Sequence, residues 1–242
     1  RPFWIPLYRE IIKDVREARE SGEISDDILD RLWVARSNGI ASAGQGGLSR
    51  SNLDQAVDFF RDLTRQILND PQPSTYPRVI EKLVEAKNDG MIDRVPRMVA
   101  RRVFAAALPE RYSTVVNKPA LRALRDALVE QFGMQSSGSD DWFDMNAEVR
   151  ECLIENGVDD SDLAVFNTFF WQLYEVLTAE SEMPVRVLAD EEPLMAKNLI
   201  LYGPPGTGKT YTLKEKYFPR YSDHAAEMTG EEWLDQTVGP LT

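Results

Sequence analysis

The residues with the clearest chemical meaning form an octapeptide from Gly203 to Thr210. It reads Gly-Pro-Pro-Gly-Thr-Gly-Lys-Thr and has the spacing G-x-x-x-x-G-K-[ST] of a phosphate-binding loop. Its glycines let the backbone turn with amides facing a phosphate, where a side chain would block the approach. We expect Lys209 to contact the β- and γ-phosphates and the Thr210 hydroxyl to ligate Mg²⁺. The octapeptide therefore predicts a site for a nucleoside triphosphate and Mg²⁺.

Two elements are expected to position this loop. The apolar run Asn198–Tyr202 has the character of a β-strand, and Tyr211–Tyr217 that of a helix whose N-terminus adds free amides and partial positive charge. Thr207 is expected to act through its backbone amide. The predicted nucleotide-binding residues are Gly203, Pro204, Pro205, Gly206, Thr207, Gly208, Lys209, Thr210 and Tyr211.

The stretch Asn198-Leu-Ile-Leu-Tyr-Gly-Pro-Pro-Gly-Thr-Gly-Lys-Thr-Tyr211 resembles the AAA+ ATPases, and its two tyrosines resemble the McrB-like branch. That branch supplies the motor subunit of modification-dependent restriction systems, which act in phage defence. The resemblance implies ATP or GTP with Mg²⁺ as cofactors, a ring homo-oligomer, a DNA-reading N-terminal domain and an McrC-like nuclease partner. The family's phosphate-loop roles would fall on Gly203, Gly206, Gly208, Lys209 and Thr210.

The catalytic residues are not assigned. Hydrolysis normally needs a carboxylate at the end of a later strand and an arginine from a neighbouring subunit, and only 32 residues follow Thr210. We therefore expect hydrolysis in a full-length protein whose further motifs lie beyond Thr242; a fragment without activity of its own is the alternative. The apolar run that ends at Asp190 resembles a strand whose terminal acid polarises the metal ion. It precedes the phosphate loop in the chain, and we therefore interpret it as a surface strand end.

Charge is distributed unevenly along the chain. Residues 1–133 hold 21 basic and 19 acidic residues, whereas residues 134–242 hold 7 and 21, within an overall net charge of −12. Between Arg94 and Arg125 there are eight bases and one acid, Glu110. Helical spacing would place many of these bases on one face of each of two helices. The resulting candidate DNA contacts are Arg94, Arg97, Arg101, Arg102, Arg122 and Arg125.

Three interpretations of this basic segment remain open. Its cations could neutralise DNA phosphates, in which case binding should weaken steeply with added salt. They could instead dock the acidic half of the same chain or another subunit, or form a solvated face. A function of a different class follows from the second interpretation: the helical half would be a protein-interaction adaptor, and the motor would remodel a protein complex.

The elements before the phosphate loop are predicted to be helices. Apolar residues recur every three or four positions, and Ser25, Ser51, Pro96 and Pro119 mark expected helix starts. The third helix is expected to run from Ser51 to Leu68, before three prolines interrupt the pattern. Gly133–Asp141 is expected to be a flexible connection. Two further helices are expected at about 142–155 and 161–179, and strands at 185–188 and 198–202.

This pattern predicts a mainly α N-terminal domain followed by the start of an α/β P-loop (AAA+) core. The predicted divisions are a helical DNA-specificity domain (1–135), a helical connection (136–182) and the N-terminal part of the NTPase domain (183–242). One cysteine and one histidine exclude an intrachain disulfide framework and a zinc site. No apolar run reaches the roughly 18 residues of a membrane helix. We therefore expect a cytoplasmic protein with no membrane partner.

Aromatic side chains could in principle form a pocket for a flipped base. Each of them lies in an apolar helical pattern, so packing in a core is the favoured interpretation and no cage is assigned. The same holds for the cluster Phe166, Phe169, Phe170, Trp171 and Tyr174. Cys152 has no basic neighbour in sequence, which argues against a nucleophilic role. The aromatic candidates considered for the pocket are Trp4, Trp33, Phe59, Phe60 and Phe104.

Overall fold

The computed structural model describes residues 4–42 and 47–179 of the chain. These residues are mainly helical, and no β-strand occurs among them. The chain divides into two units, Arg1–Val185 and Arg186–Thr242, and the second lies outside the described residues. The strands predicted at 185–188 and 198–202 and the phosphate loop also lie outside them. The α/β part of the predicted fold therefore stays a prediction.

The helices follow one another with short connections. They are α1 (Trp4–Ser21), α2 (Asp26–Leu29), a π-helical turn (Asp30–Val34), α3 (Arg50–Gln55), α4 (Val57–Asn69), α5 (Thr75–Asn88), α6 (Arg97–Ala107), α7 (Lys118–Phe132), α8 (Trp142–Glu155) and α9 (Leu163–Ala179).

Polar residues begin several of these helices. Ser25 accepts a hydrogen bond from the amide of Ile28, and Ser49 accepts one from the amide of Asn52. Asn117 caps α7 through the amide of Ala120, with Pro119 in the first turn, where its missing N–H is not needed. Gly133 ends α7 in the left-handed conformation, with φ 70°. The predicted helix starts at Ser25, Pro96 and Pro119 lie within one residue of the observed caps or first turns.

Two predicted details were wrong. The helix expected from Ser51 to Leu68 is interrupted at Ala56, whose φ and ψ of −129° and 31° are not helical, so α3 and α4 are separate. Pro77 does not break a helix but lies in the first turn of α5, where the amide that proline lacks would have no partner in the helix. Short-range pattern alone did not distinguish these cases.

One hydrophobic core connects the described helices. Helix α6 packs against α1, α4, α5 and the π-helical turn, α7 packs against α8 and α9, and α1 also contacts α9. An edge-to-face aromatic cluster joins α5, α6 and α8 through Tyr76, Phe104 and Phe143. This core continues across the predicted boundary at residue 135. The segment 133–141 accordingly connects helices of one compact unit.

Candidate nucleic-acid interface

Two of the six candidate arginines are exposed. Arg97 begins α6, and Arg94 lies three residues before it in the preceding loop. Arg94 also lines a cavity of about 470 Å³ together with Arg36, Ser49, Asn52 and Asp93. Arg36 was not predicted as a site residue, because 58 positions separate it from Arg94 and nothing in the sequence indicates that the fold brings them together. Arg36 and Arg94 therefore border the same cavity, together with the acid Asp93, and Arg97 is exposed at the start of α6.

Arg102 is not a surface residue, and its predicted DNA contact is wrong. Only 1% of the residue is exposed. Its guanidinium donates hydrogen bonds to the carbonyl of Leu32 from Nε (3.0 Å) and Nη2 (2.6 Å), and to those of Ala35 (2.8 Å) and Ala41 (3.3 Å) from Nη1. Burial lowers its pKa to about 10, so the group remains protonated at neutral pH. Arg102 therefore supplies hydrogen-bond donors to carbonyl groups at the end of the π-helical turn.

Arg101 is only partly accessible. Its Nη1 donates a hydrogen bond to the carbonyl of Val116 at 3.2 Å, and its guanidinium carbon lies 5.9 Å from the centre of the Tyr76 ring. The ring's negative face attracts a cation at this distance. Arg101 thus connects α6 to the loop before α7 and to α5. Its Nε is buried without a hydrogen-bond partner, so this donor does not face solvent.

The bases of α7 are engaged within the chain. Arg125 has a side chain 10% exposed, pairs with Asp126 at 2.7 Å and donates to the Ser139 carbonyl. Lys118 and Arg122 both bind the carboxylate of Asp140. Sequence analysis did not predict this pairing, because Asp140 lies 18 and 22 positions away across a serine- and glycine-rich stretch. The structure thus leaves Arg94 and Arg97 exposed, whereas Arg122 and Arg125 are engaged in contacts within the chain.

The aromatic candidates are mostly core residues. Trp33, Phe60 and Phe104 are completely buried, and the Trp33 indole donates a hydrogen bond to Thr64 at 2.9 Å. Phe59 packs edge-on against Phe60. In the later cluster Phe166 and Phe170 are buried, while Phe169, Trp171 and Tyr174 are half-buried and pack against the core. The preference for packing over ligand binding was therefore correct for the buried rings.

Trp4 is the exception. It lines a cavity of about 670 Å³ that Trp171 and Met98 also border, with polar groups from Asn117, Gln172 and other residues. The Trp171 indole donates to Glu175 at 2.9 Å.

Cys152 is half-buried, and burial raises the pKa of its thiol, which disfavours the thiolate form. The direction of this pKa shift is in line with the sequence analysis, which argued against a nucleophilic role for Cys152.

Among the described residues, no cluster of three or more His, Cys, Asp or Glu side chains is arranged to hold a metal ion. No helix in the same part of the chain combines the length and apolar character needed to cross a membrane. The predicted Mg²⁺ ligand Thr210 and the nucleotide-binding residues lie outside the described residues. Comparison with protein-family models, curated proteins and solved structures found no match to this chain.

Proposed function

We propose that the chain is the N-terminal portion of a AAA+ NTPase resembling the McrB motor of modification-dependent DNA restriction. The observation that carries this proposal is the octapeptide Gly203–Thr210, placed between a strand-type run and a helix-type run. Lys209 would bind the β- and γ-phosphates of ATP or GTP, and Thr210 would hold Mg²⁺. The helical unit before it would contact DNA, and a McrC-like nuclease subunit would be the partner of the assembled ring.

The nucleotide-binding part is tested on the 242-residue chain with a fluorescent ATP or GTP analogue and Mg²⁺. Lys209→Ala should weaken binding by about 10-fold or more, because it removes charge-assisted hydrogen bonds to phosphate. Lys216→Ala removes the same charge seven positions later and should bind as the unaltered chain does. Equal affinities for the two variants, or no binding by the unaltered chain, would contradict the proposal.

The DNA-binding part is supported by the exposed cations Arg36, Arg94 and Arg97. Each phosphate contact adds about 0.9 to the slope of log affinity against log salt concentration. Replacing Arg94 and Arg97 together by Gln should therefore reduce that slope by about 2. The control is Lys87→Gln, an exposed base in the last turn of α5. An unchanged slope would remove these two arginines from the interface.

A second candidate function is favoured by the internal contacts of four of the six candidate arginines. Because Arg101, Arg102, Arg122 and Arg125 serve packing or ion pairs within the chain, the basic character of the sequence overstates the cationic surface. A protein-interaction adaptor attached to a protein-remodelling ATPase needs no such surface. Retention of a DNA duplex on a filter at low salt supports the first function. Absence of retention by both the unaltered chain and its Asp140→Asn variant, with nucleotide binding intact, supports the adaptor.

A further inference from the structure

The loop Gly133–Asp141 lies over one face of α7 and is held there by three bases of that helix. Lys118, Arg122 and Arg125 are spaced four and three positions apart, so they project from the same face. Lys118 Nζ donates to Oδ2 of Asp140 at 2.7 Å, and Arg122 Nε donates to Oδ1 at 2.7 Å. Two cations therefore converge on the two oxygens of one carboxylate.

The loop has other attachments that do not involve this carboxylate. Arg125 Nη1 donates to the carbonyl of Ser139, and the Ser139 hydroxyl donates to Asp144 at 2.7 Å. Further along the loop, Glu148 of α8 accepts a hydrogen bond from the Ser136 hydroxyl at 2.8 Å. It also accepts one from the amide of Ser137 at 3.0 Å. Asp140 is thus held over α7 by its neighbours, and the loop can keep its path without the Asp140 charge.

The carboxylate occupies a position suited to a larger anion. The side chains of Lys118, Arg122 and Asp140 are 29%, 42% and 59% exposed, so a ligand can approach from solvent. Partly exposed ion pairs of this kind add little to stability. The Lys118 and Arg122 bonds hold the pKa of Asp140 below its ordinary value, and the group is therefore negative at neutral pH. Lys118 also stands at the positive end of a 15-residue helix.

We propose that Lys118 and Arg122 form a binding site for a nucleic-acid phosphate, and that Asp140 occupies this site and competes with the phosphate. Guanidinium and ammonium groups recognise phosphate oxygens as they recognise carboxylate oxygens. A phosphodiester entering the site would replace the Asp140 carboxylate, and the loop would remain attached through Ser136, Ser137 and Ser139. This inference extends the proposed DNA-binding function and rests on it. It also accounts for a basic helix that is neutralised from within its own chain.

The test compares Asp140→Asn with Asp62→Asn in the 242-residue chain. Both variants remove one negative charge, but Asp62 lies on α4 and pairs with Arg65 of the same helix. Binding of a duplex of about 20 base pairs is measured in about 0.1 M salt by fluorescence anisotropy. Asp140→Asn should tighten binding by about 5-fold or more, whereas Asp62→Asn should change it by less than about 2-fold. Adding Lys118→Gln and Arg122→Gln to Asp140→Asn should abolish the gain.

Equal affinities for Asp140→Asn and Asp62→Asn would overturn the proposal, as would a gain that survives loss of Lys118 and Arg122. Thermal unfolding checks that each variant is folded, and Asp140→Ser replaces Asp140→Asn if the latter is not. Binding by Asp140→Asn alone, with none by the unaltered chain, supports the site. Absence of binding by every variant overturns it.

Nucleotide binding through Lys209 is measured separately, so failure of this site is distinguishable from failure of the motor assignment. Inorganic phosphate at equal phosphate concentration should not displace the duplex, and displacement would assign the site to free phosphate.

Discussion

At the scale of single residues, the same chemical group performs different tasks in neighbouring positions. Arg97 and Arg102 lie on the same helix, yet Arg97 is exposed and Arg102 is buried among backbone carbonyls. A buried arginine is tolerated here because its donors find partners in Leu32, Ala35 and Ala41. Counting charges along a sequence cannot separate these two cases. The identity of the surrounding atoms decides which arginine is available to a ligand.

Arg102→Met should destabilise the chain by about 3–5 kcal/mol, because several buried carbonyls lose their donors at once. Arg97→Met, the same change on the exposed face of α6, should shift stability by less than about 0.5 kcal/mol. Urea unfolding followed by tryptophan fluorescence measures both, with the buried Trp33 among the reporters. Similar losses in the two variants would show that the carbonyl contacts of Arg102 do not stabilise the fold.

Tyr8 gives a residue-scale prediction about pH. It is buried, accepts a hydrogen bond from Asn167 Nδ2 at 2.7 Å, and burial raises its pKa to about 12. The unfolded chain would ionise this tyrosine near its ordinary pKa of about 10. Its contribution to stability is therefore complete below pH 10 and is lost as pH rises from about 10 to about 12. Tyr8→Phe should show a shallower loss of unfolding free energy across this interval. If Tyr8→Phe and the unaltered chain lost unfolding free energy equally steeply with pH, Tyr8 would not be the source of the loss.

At the scale of elements, one glycine allows the loop after the π-helical turn to contact α1. Gly39 has φ 85°, and a Cβ atom there would lie 2.3 Å from the backbone nitrogen of Tyr8. The Tyr8 nitrogen belongs to the backbone of α1, so it cannot move away as the end of a flexible side chain could. The contact therefore requires the absence of a side chain as well as the left-handed backbone. Gly133, at the end of α7, also has the left-handed backbone, with φ 70°. A Cβ atom there would have no atom within 4 Å, so space does not exclude a side chain at this position.

Gly39→Ala should consequently cost more than Gly133→Ala. The left-handed conformation alone costs alanine about 1 kcal/mol. At Gly39 the displacement of α1 adds to this, and a total above about 3 kcal/mol is expected. Thermal unfolding of the two variants gives the comparison. A Gly39→Ala loss no larger than that of Gly133→Ala would mean that the loop and α1 separate at little cost.

The sequence predicted most elements because their signals are local. Apolar spacing and caps located α7 and α8, and the interval 142–155 predicted for α8 agrees with Trp142–Glu155. The burial of Arg102 was missed because it depends on contacts with segments that are distant in sequence. The same reason applies to the site: spacing can align bases on a helix, but it does not reveal that Asp140 returns to bind Lys118 and Arg122.

At the scale of the whole molecule, the unit Arg1–Val185 depends on helices from both sides of the predicted boundary at residue 135. Helix α7 buries Leu121, Leu124 and Leu128, and its partners α8 and α9 follow that boundary. Asn167 of α9 adds a polar connection, since its Nδ2 donates to Tyr8 of α1 at 2.7 Å and to the Pro109 carbonyl at 2.7 Å. The first 135 residues therefore lack the surfaces that complete their own core.

A chain cut after residue 135 should consequently lose cooperative unfolding, while a chain ending at Val185 should keep it. The shorter piece exposes the buried face of α7 and the aromatic side chains that pack on Phe143. Burial of apolar surface contributes about 25 cal/mol per Å², and several large side chains lose their cover at once. Circular dichroism during heating, with dye binding as a measure of exposed apolar surface, compares the two chains. A sharp transition in the 135-residue chain would show that the predicted specificity domain folds independently, and that α8 and α9 only pack against a finished core.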